Sequence, residues 1–119
     1  MHKGANNIST EEKLLQLAHK MNENPDKITD LNRHYQFELK PQARYGVQFA
    51  DGTVQVDKEP PYNEEACVLK MSESNLHKLL EGTWNPTVAY MTGQLKVDGD
   101  VRHALKLHEI VKHYTDSAQ

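Results

Sequence analysis

The sequence predicts an α+β fold: a five-stranded, mostly antiparallel sheet covered by helices, in the order α-β-β-β-crossover-β-α-α-β-α. Three observations predict it. Apolar residues recur at helical spacing over 14–21 and again over 101–114. The period falls to two over 35–39, 45–49 and 54–56, as in strands buried on one face. The two kinds of segment are mostly segregated rather than alternating, which favours helices on one face of a largely antiparallel sheet.

The first helix starts at Ser9 or Thr10, where Ser9 and Glu12 have the spacing of a capping box, and Leu14, Leu17, Ala18 and Met21 form its apolar stripe. It stops near Asn24-Pro25, because the residue before proline is driven out of the helical region. A turn or short helix over Pro25 to Leu31 turns Ile28 and Leu31 inward. Tyr35, Phe37 and Leu39 then alternate with His34, Gln36, Glu38 and Lys40 in a first strand. Tyr45, Val47 and Phe49 repeat the alternation, and Asp51-Gly52 supplies the pair preferred in a primed hairpin turn leading to Val54 and Val56. The prolines of 59–63 bar that stretch from a central strand, so it is a crossover loop.

Ala66 to Met71 is apolar on both faces apart from Lys70, the pattern of a strand covered on each side. Ser72 or Ser74 caps a helix that carries Leu76, Leu79 and Leu80 and ends at Gly82. Asn85-Pro86 opens a short helix, with Val88, Ala89 and Met91 expected inside, that stops at Gly93. Leu95 and Val97 mark the last strand, closed by Gly99, and an amphipathic helix runs from Val101 to about Tyr114. The domain spans 9–115, and residues 1–8 and 116–119 are expected to be flexible.

With 119 residues the chain has room for one ordinary core and no second domain. No run approaches the roughly 20 apolar residues of a membrane-spanning helix, so stable membrane insertion is not expected. Fourteen basic against 17 acidic residues give a net charge of -3, which argues against general nucleic-acid binding. A single cysteine leaves no intramolecular disulfide and no cysteine-rich zinc site. Residues 1–24 show no secretory pattern, so a cytoplasmic location is expected.

The residues with reactive side chains do not assemble into a catalytic set. His108 and His113 sit five apart on the last helix, about 140° round it, and cannot share one ion; His103 and His108 fail for the same reason. Neither a metal nor a cofactor is expected. Cys67 reads as a packing thiol, since its strand is apolar on both faces, and a nucleophile would need an electropositive, partly open setting. Ser72 and Ser74 are accounted for as caps, and no paired carboxylates stand out. Trp84, between Gly82 and Pro86, has two readings: it folds back to seal the core, or it gates an apolar pocket.

The stretch from Gly82 to Asp100 carries a more specific pattern: Gly82, Pro86, Ala89, Tyr90-Met91, Gly93, Leu95-Lys96-Val97 and Gly99-Asp100. In this it resembles the sterol carrier protein-2 family, closely over 65–114 and more loosely over 34–58. The resemblance implies a non-catalytic lipid-binding domain whose sheet and helices enclose an apolar tunnel, with the last helix as a lid. Its expected ligand is a fatty acid, a fatty acyl-CoA, a sterol or a related lipid. The residues it places at such a ligand are Phe37 and Tyr45 on strands, Leu76 and Leu80 on the helix beneath, Val88 and Met91 on the short helix, and Leu105, His108 and Val111 on the lid; Trp84 joins them as the gate. His108 would be the polar side chain reaching the head group. The peroxisomal ending of some members is absent, and the first hairpin is shorter. A second reading is an accessory subunit that presents a lipid or quinone-type intermediate to a partner enzyme. A small hydrolase or isomerase using His108 or Cys67 ranks last. With 37% hydrophobic residues, some of them lining a cavity, modest stability that rises with bound lipid is expected.

Overall fold

Ser9 opens the described structure by capping α1 (Thr10–Glu23): its hydroxyl accepts from Glu12 N–H while the Glu12 side chain accepts from Ser9 N–H, closing the capping box. The computed structural model describes residues 9–40 and 43–116. The flexible ends expected at 1–8 and 116–119 lie outside them, apart from Asp116, whose backbone ends the last helix. After α1, a single 3₁₀ turn (Pro25–Lys27) leads to the buried Ile28 and Leu31.

Strands β1 (Arg33–Lys40), β2 (Ala43–Ala50) and β3 (Thr53–Lys58) form a meander. The β2–β3 turn has φ 55° at Asp51 and 75° at Gly52, the two positive values a type I′ turn requires. The chain then crosses to β4 (Cys67–Ser72), which pairs with β1 in parallel, Phe37 opposite Leu69. The Ser72 hydroxyl caps α2 (Glu73–Leu80), Asn85 caps α3 (Pro86–Met91), and β5 (Lys96–Asp98) and α4 (Val101–Asp116) complete the fold. Strand order is β3-β2-β1-β4-β5, a mixed sheet with one parallel pair among antiparallel ones.

One face of the sheet carries Tyr35, Phe37, Leu39, Tyr45, Val47, Phe49, Leu69 and Met71, and packs with the apolar stripes of α1, α2 and α4 in one core. Tyr35 meets Phe49 edge to face at 5.9 Å and donates its hydroxyl to His103 O at 2.7 Å, tying β1 to α4. The other face lies under the crossover loop. Pro60 is buried against Gly46, where a Cβ would fall 3.1 Å from Pro60 Cγ, so glycine permits the close approach. This corrects one expectation: Gln36, on the polar side of its strand's alternation, is 0% exposed, because the loop covers it and Pro61 O accepts from its Nε2 at 2.8 Å.

Two further links hold α1. The Asn22 carboxamide accepts from Val54 N–H at 2.8 Å and donates to Val54 O at 3.0 Å on the outer strand β3. The Tyr114 hydroxyl donates to Asn24 O, joining α4 to the end of α1.

Candidate functional site

Amphipathic helices laid over a curved apolar sheet leave a seam where their stripes meet. Here it runs between α1, contributing Leu14, Leu17, Ala18 and Met21, and α4, contributing Leu107 and Val111, with Phe37, Val47, Phe49, Val54 and Val56 of the sheet as floor and Leu80 of α2 at its side. Every lining side chain is apolar. The free space is about 20 Å³, close to the ~10–15 Å³ that one water occupies by the same kind of measure. Among the described residues no open tunnel runs along it.

Of the residues assigned from sequence, Phe37, Leu80 and Val111 line this seam. Tyr45 is buried just beyond its end, in cross-strand register with Phe37. Leu76 and Trp84 are buried in the core without lining the seam, and for Trp84 that is the sealing position. Leu105 and His108 are half-buried on α4 and also off the lining. Burial, then the Lys112 charge, hold the His108 imidazole below its ordinary range, opposed by Glu109.

Val88 and Met91 are a correction: they are 54% and 78% exposed rather than buried. Helix α3 has only six residues, and it turns Pro86 and Ala89 inward; Val88 is about 200° round the helix from Pro86, and Met91 continues that outer line. Asn85 Oδ1 accepts from both Thr87 N–H and Val88 N–H, which fixes this orientation.

The α1 stripe, Val47, Phe49, Val54, Val56 and Leu107 are seam residues that the sequence reading does not assign to the site. The i, i+3, i+4, i+7 row marks this face of α1, but the family resemblance is specific only over 65–114 and does not reach it.

Reactive groups stay apart from the seam. Cys67 is 3% exposed, its thiol directed at Asp100 O at 3.8 Å, and burial pushes its pKa up to about 11, which keeps it protonated near neutrality. Among the described residues no three His, Cys, Asp or Glu side chains are grouped to hold a metal ion, and no helix is long and apolar enough to cross a membrane.

Fold and seam together define a small α+β domain with its helices gathered over one apolar line. The chain belongs to the SCP-2 sterol transfer family, whose model matches residues 12–112. Among characterised proteins it is similar to mouse (Mus musculus) stomatin-like protein 1, 32% identical over 89 residues, covering 71% of this chain and 22% of that protein. It is also 32% identical over 79 residues to hydroxysteroid dehydrogenase-like protein 2 of Xenopus tropicalis, covering 65% of this chain and 19% of that one. The chain thus spans about a fifth of the length of these relatives. In fold it is similar to the sterol carrier protein domain 2 of Helicoverpa armigera (TM-score 0.69, 18% identity, covering 95% of this chain and 96% of that one). It is likewise similar to the UbiJ-SCP2 ubiquinone synthesis protein (TM-score 0.64, 19% identity, 87% and 86% covered).

Proposed function

We propose that this chain is a non-catalytic carrier that binds a fatty acid, fatty acyl-CoA, sterol-like or other hydrophobic ligand in the seam beneath α4 and works in the cytoplasm. The observation that carries the reading is the wholly apolar lining shared by α1, α4 and the sheet, in a chain of the SCP-2 sterol transfer family. Burial of apolar surface drives such binding, and a site of this kind needs few polar groups. Loading separates α1 from α4, and the ligand replaces the contacts the two helices lose with each other.

The accessory-subunit reading is favoured by one observation, the near-complete mutual coverage with the UbiJ-SCP2 ubiquinone synthesis protein, a chain of similar extent. In that role the domain presents a lipid or quinone-type intermediate to a partner enzyme.

Native mass spectrometry of freshly purified protein tests the carrier reading by its expected lipid adduct, and displacement of the uncharged dye Nile red by unlabelled lipids tests it independently. Absence of binding by any acyl chain, sterol or quinone at micromolar concentration refutes it. Recovery of a stoichiometric enzyme with the protein from native lysate supports the accessory role over the free carrier.

A further inference from the structure

The apolar seam has a polar end. On α1, Thr10 stands one turn, about 6 Å, ahead of Leu14 on the stripe that continues through Leu17 and Met21. On β2, Tyr45 precedes Val47 and Phe49 on the face turned to the helices. Where both rows change from apolar to polar, a hollow of about 430 Å³ opens, lined by Ser9, Thr10, Tyr45, Glu73, Ser74 and His77.

Its wall is built rather than incidental. Thr10 is 2% exposed; its hydroxyl donates its one proton to the Glu73 carboxylate and so accepts from His77 Nε2 at 2.8 Å. Tyr45 is only 8% exposed, it lines the hollow, and its hydroxyl has no hydrogen-bond partner among the described residues. Burial, then the Glu73 charge, push that phenol up, so it stays neutral and both donates and accepts. That hydroxyl, carried by a buried ring and open to the hollow, is free to pair with a polar group of a ligand.

The charges around the hollow select what that group is. Glu73 brings a carboxylate. Helices α1 and α2 both start here, and since Thr10 meets Glu73 while Lys13 meets Glu81 at 3.0 Å, they run side by side in one direction, the partial positive charge of their first turns offset by Glu11, Glu12 and Glu73. A ligand carboxylate is repelled by Glu73, and an ammonium, a donor only, could accept from none of the hydroxyls there. A hydroxyl meets neither opposition and finds donors and acceptors together. We infer that the hollow holds the neutral, multiply hydroxylated head group of a glycerol-ester amphiphile whose acyl chain lies in the seam, an inference that rests on the reading of the seam as a site for apolar ligands.

The test compares 1-monododecanoylglycerol with dodecanoate as displacers of Nile red near neutral pH. The glycerol ester is expected to compete at about tenfold lower concentration, the scale of one or two hydrogen bonds gained and a carboxylate repulsion avoided. Tyr45→Phe should weaken the ester several-fold and leave dodecyl methyl ether unchanged. Glu73→Gln, whose amide oxygen still accepts from Thr10, should narrow the gap between ester and acid, while Glu64→Gln on the exposed crossover loop should not. Equal displacement by ester and acid in the unmodified protein, or a ratio untouched by both Tyr45→Phe and Glu73→Gln, overturns the inference and leaves the carrier reading standing. Failure of Nile red and both lipids to bind overturns the carrier reading itself.

Discussion

Truncating Leu107 to alanine separates the seam from the rest of the core. Leu107 is 3% exposed and reaches the seam from α4, so Leu107→Ala enlarges a space of about 20 Å³ that is otherwise closed. Leucine-to-alanine changes in protein cores cost roughly 2.7–5 kcal/mol, and the larger losses go with the larger residual cavities. In a domain of this size that lowers the thermal midpoint by roughly 10–20 °C. A ligand that fills the seam should restore part of the loss, since occupancy at a hundredfold excess over Kd contributes about 2.7 kcal/mol, more where affinity rises. Leu79→Ala is the matched control: Leu79 is 1% exposed, in the same core, and not on the seam. Urea unfolding with and without saturating 1-monododecanoylglycerol, followed by the fluorescence of the buried Trp84, reads both variants. Leu107→Ala should gain more from the ligand than the unmodified protein does, and Leu79→Ala no more. Equal gains in the two variants would refute the placement of the ligand between α1 and α4.

Three other outcomes follow from the same geometry. Gly46→Ala should lose about 1–3 kcal/mol in denaturant unfolding, because the new Cβ sits 3.1 Å from Pro60 Cγ, and Pro60→Ala in the same chain should recover most of it. Ser9→Ala removes the hydroxyl that accepts from Glu12 N–H, so about 1 kcal/mol of stability should go, together with hydrogen-exchange protection at Glu12 N–H. Alkaline stability depends on Cys67, raised from 9.0 to about 11, and Tyr35, raised from 10.0 to about 12, chiefly by burial. The unfolded chain releases both protons first, so their contribution is complete below about pH 9 and is lost as pH rises through 11 and 12. Tyr35→Phe, which also loses the bond to His103 O, should flatten that decline; an unchanged slope would count against it.

What was legible in the sequence was decided by short-range chemistry. The Ser9–Glu12 box, the Asp51-Gly52 turn and the Ser72 cap each depend on three or four consecutive residues, and each formed where those residues stand. The parallel pairing of β1 with β4 was not legible in this way, because it depends on the route of the loop that joins β3 to β4, and alternation alone does not record which strands become neighbours. The burial of Gln36 has the same origin: a polar side chain in an alternating strand reads as outward until a distant proline-rich segment is laid over it. For the site, the helix stripes were visible but their convergence was not. Leu14 and Val111 are far apart in sequence, and only the packed helices show that they face one line. Residues Val88 and Met91 show the reverse limit: in a helix of six residues, the small Pro86 and Ala89 took the inner side, against the order of size.

The paired hydrogen bonds from Asn22 to Val54 also bear on how the protein avoids self-association. Strand β3 is one of the sheet's two outer members, and an open outer strand offers its backbone to any extended chain that comes by, the first step towards aggregation. A carboxamide that donates and accepts at Val54 imitates the neighbour such a chain would become, which opposes growth of the sheet at this edge. The same bonds oppose any swing of α1 away from β3 at that end. For the proposed carrier, loading from the Asn22 end would break these bonds and expose that edge of the sheet each time the seam filled.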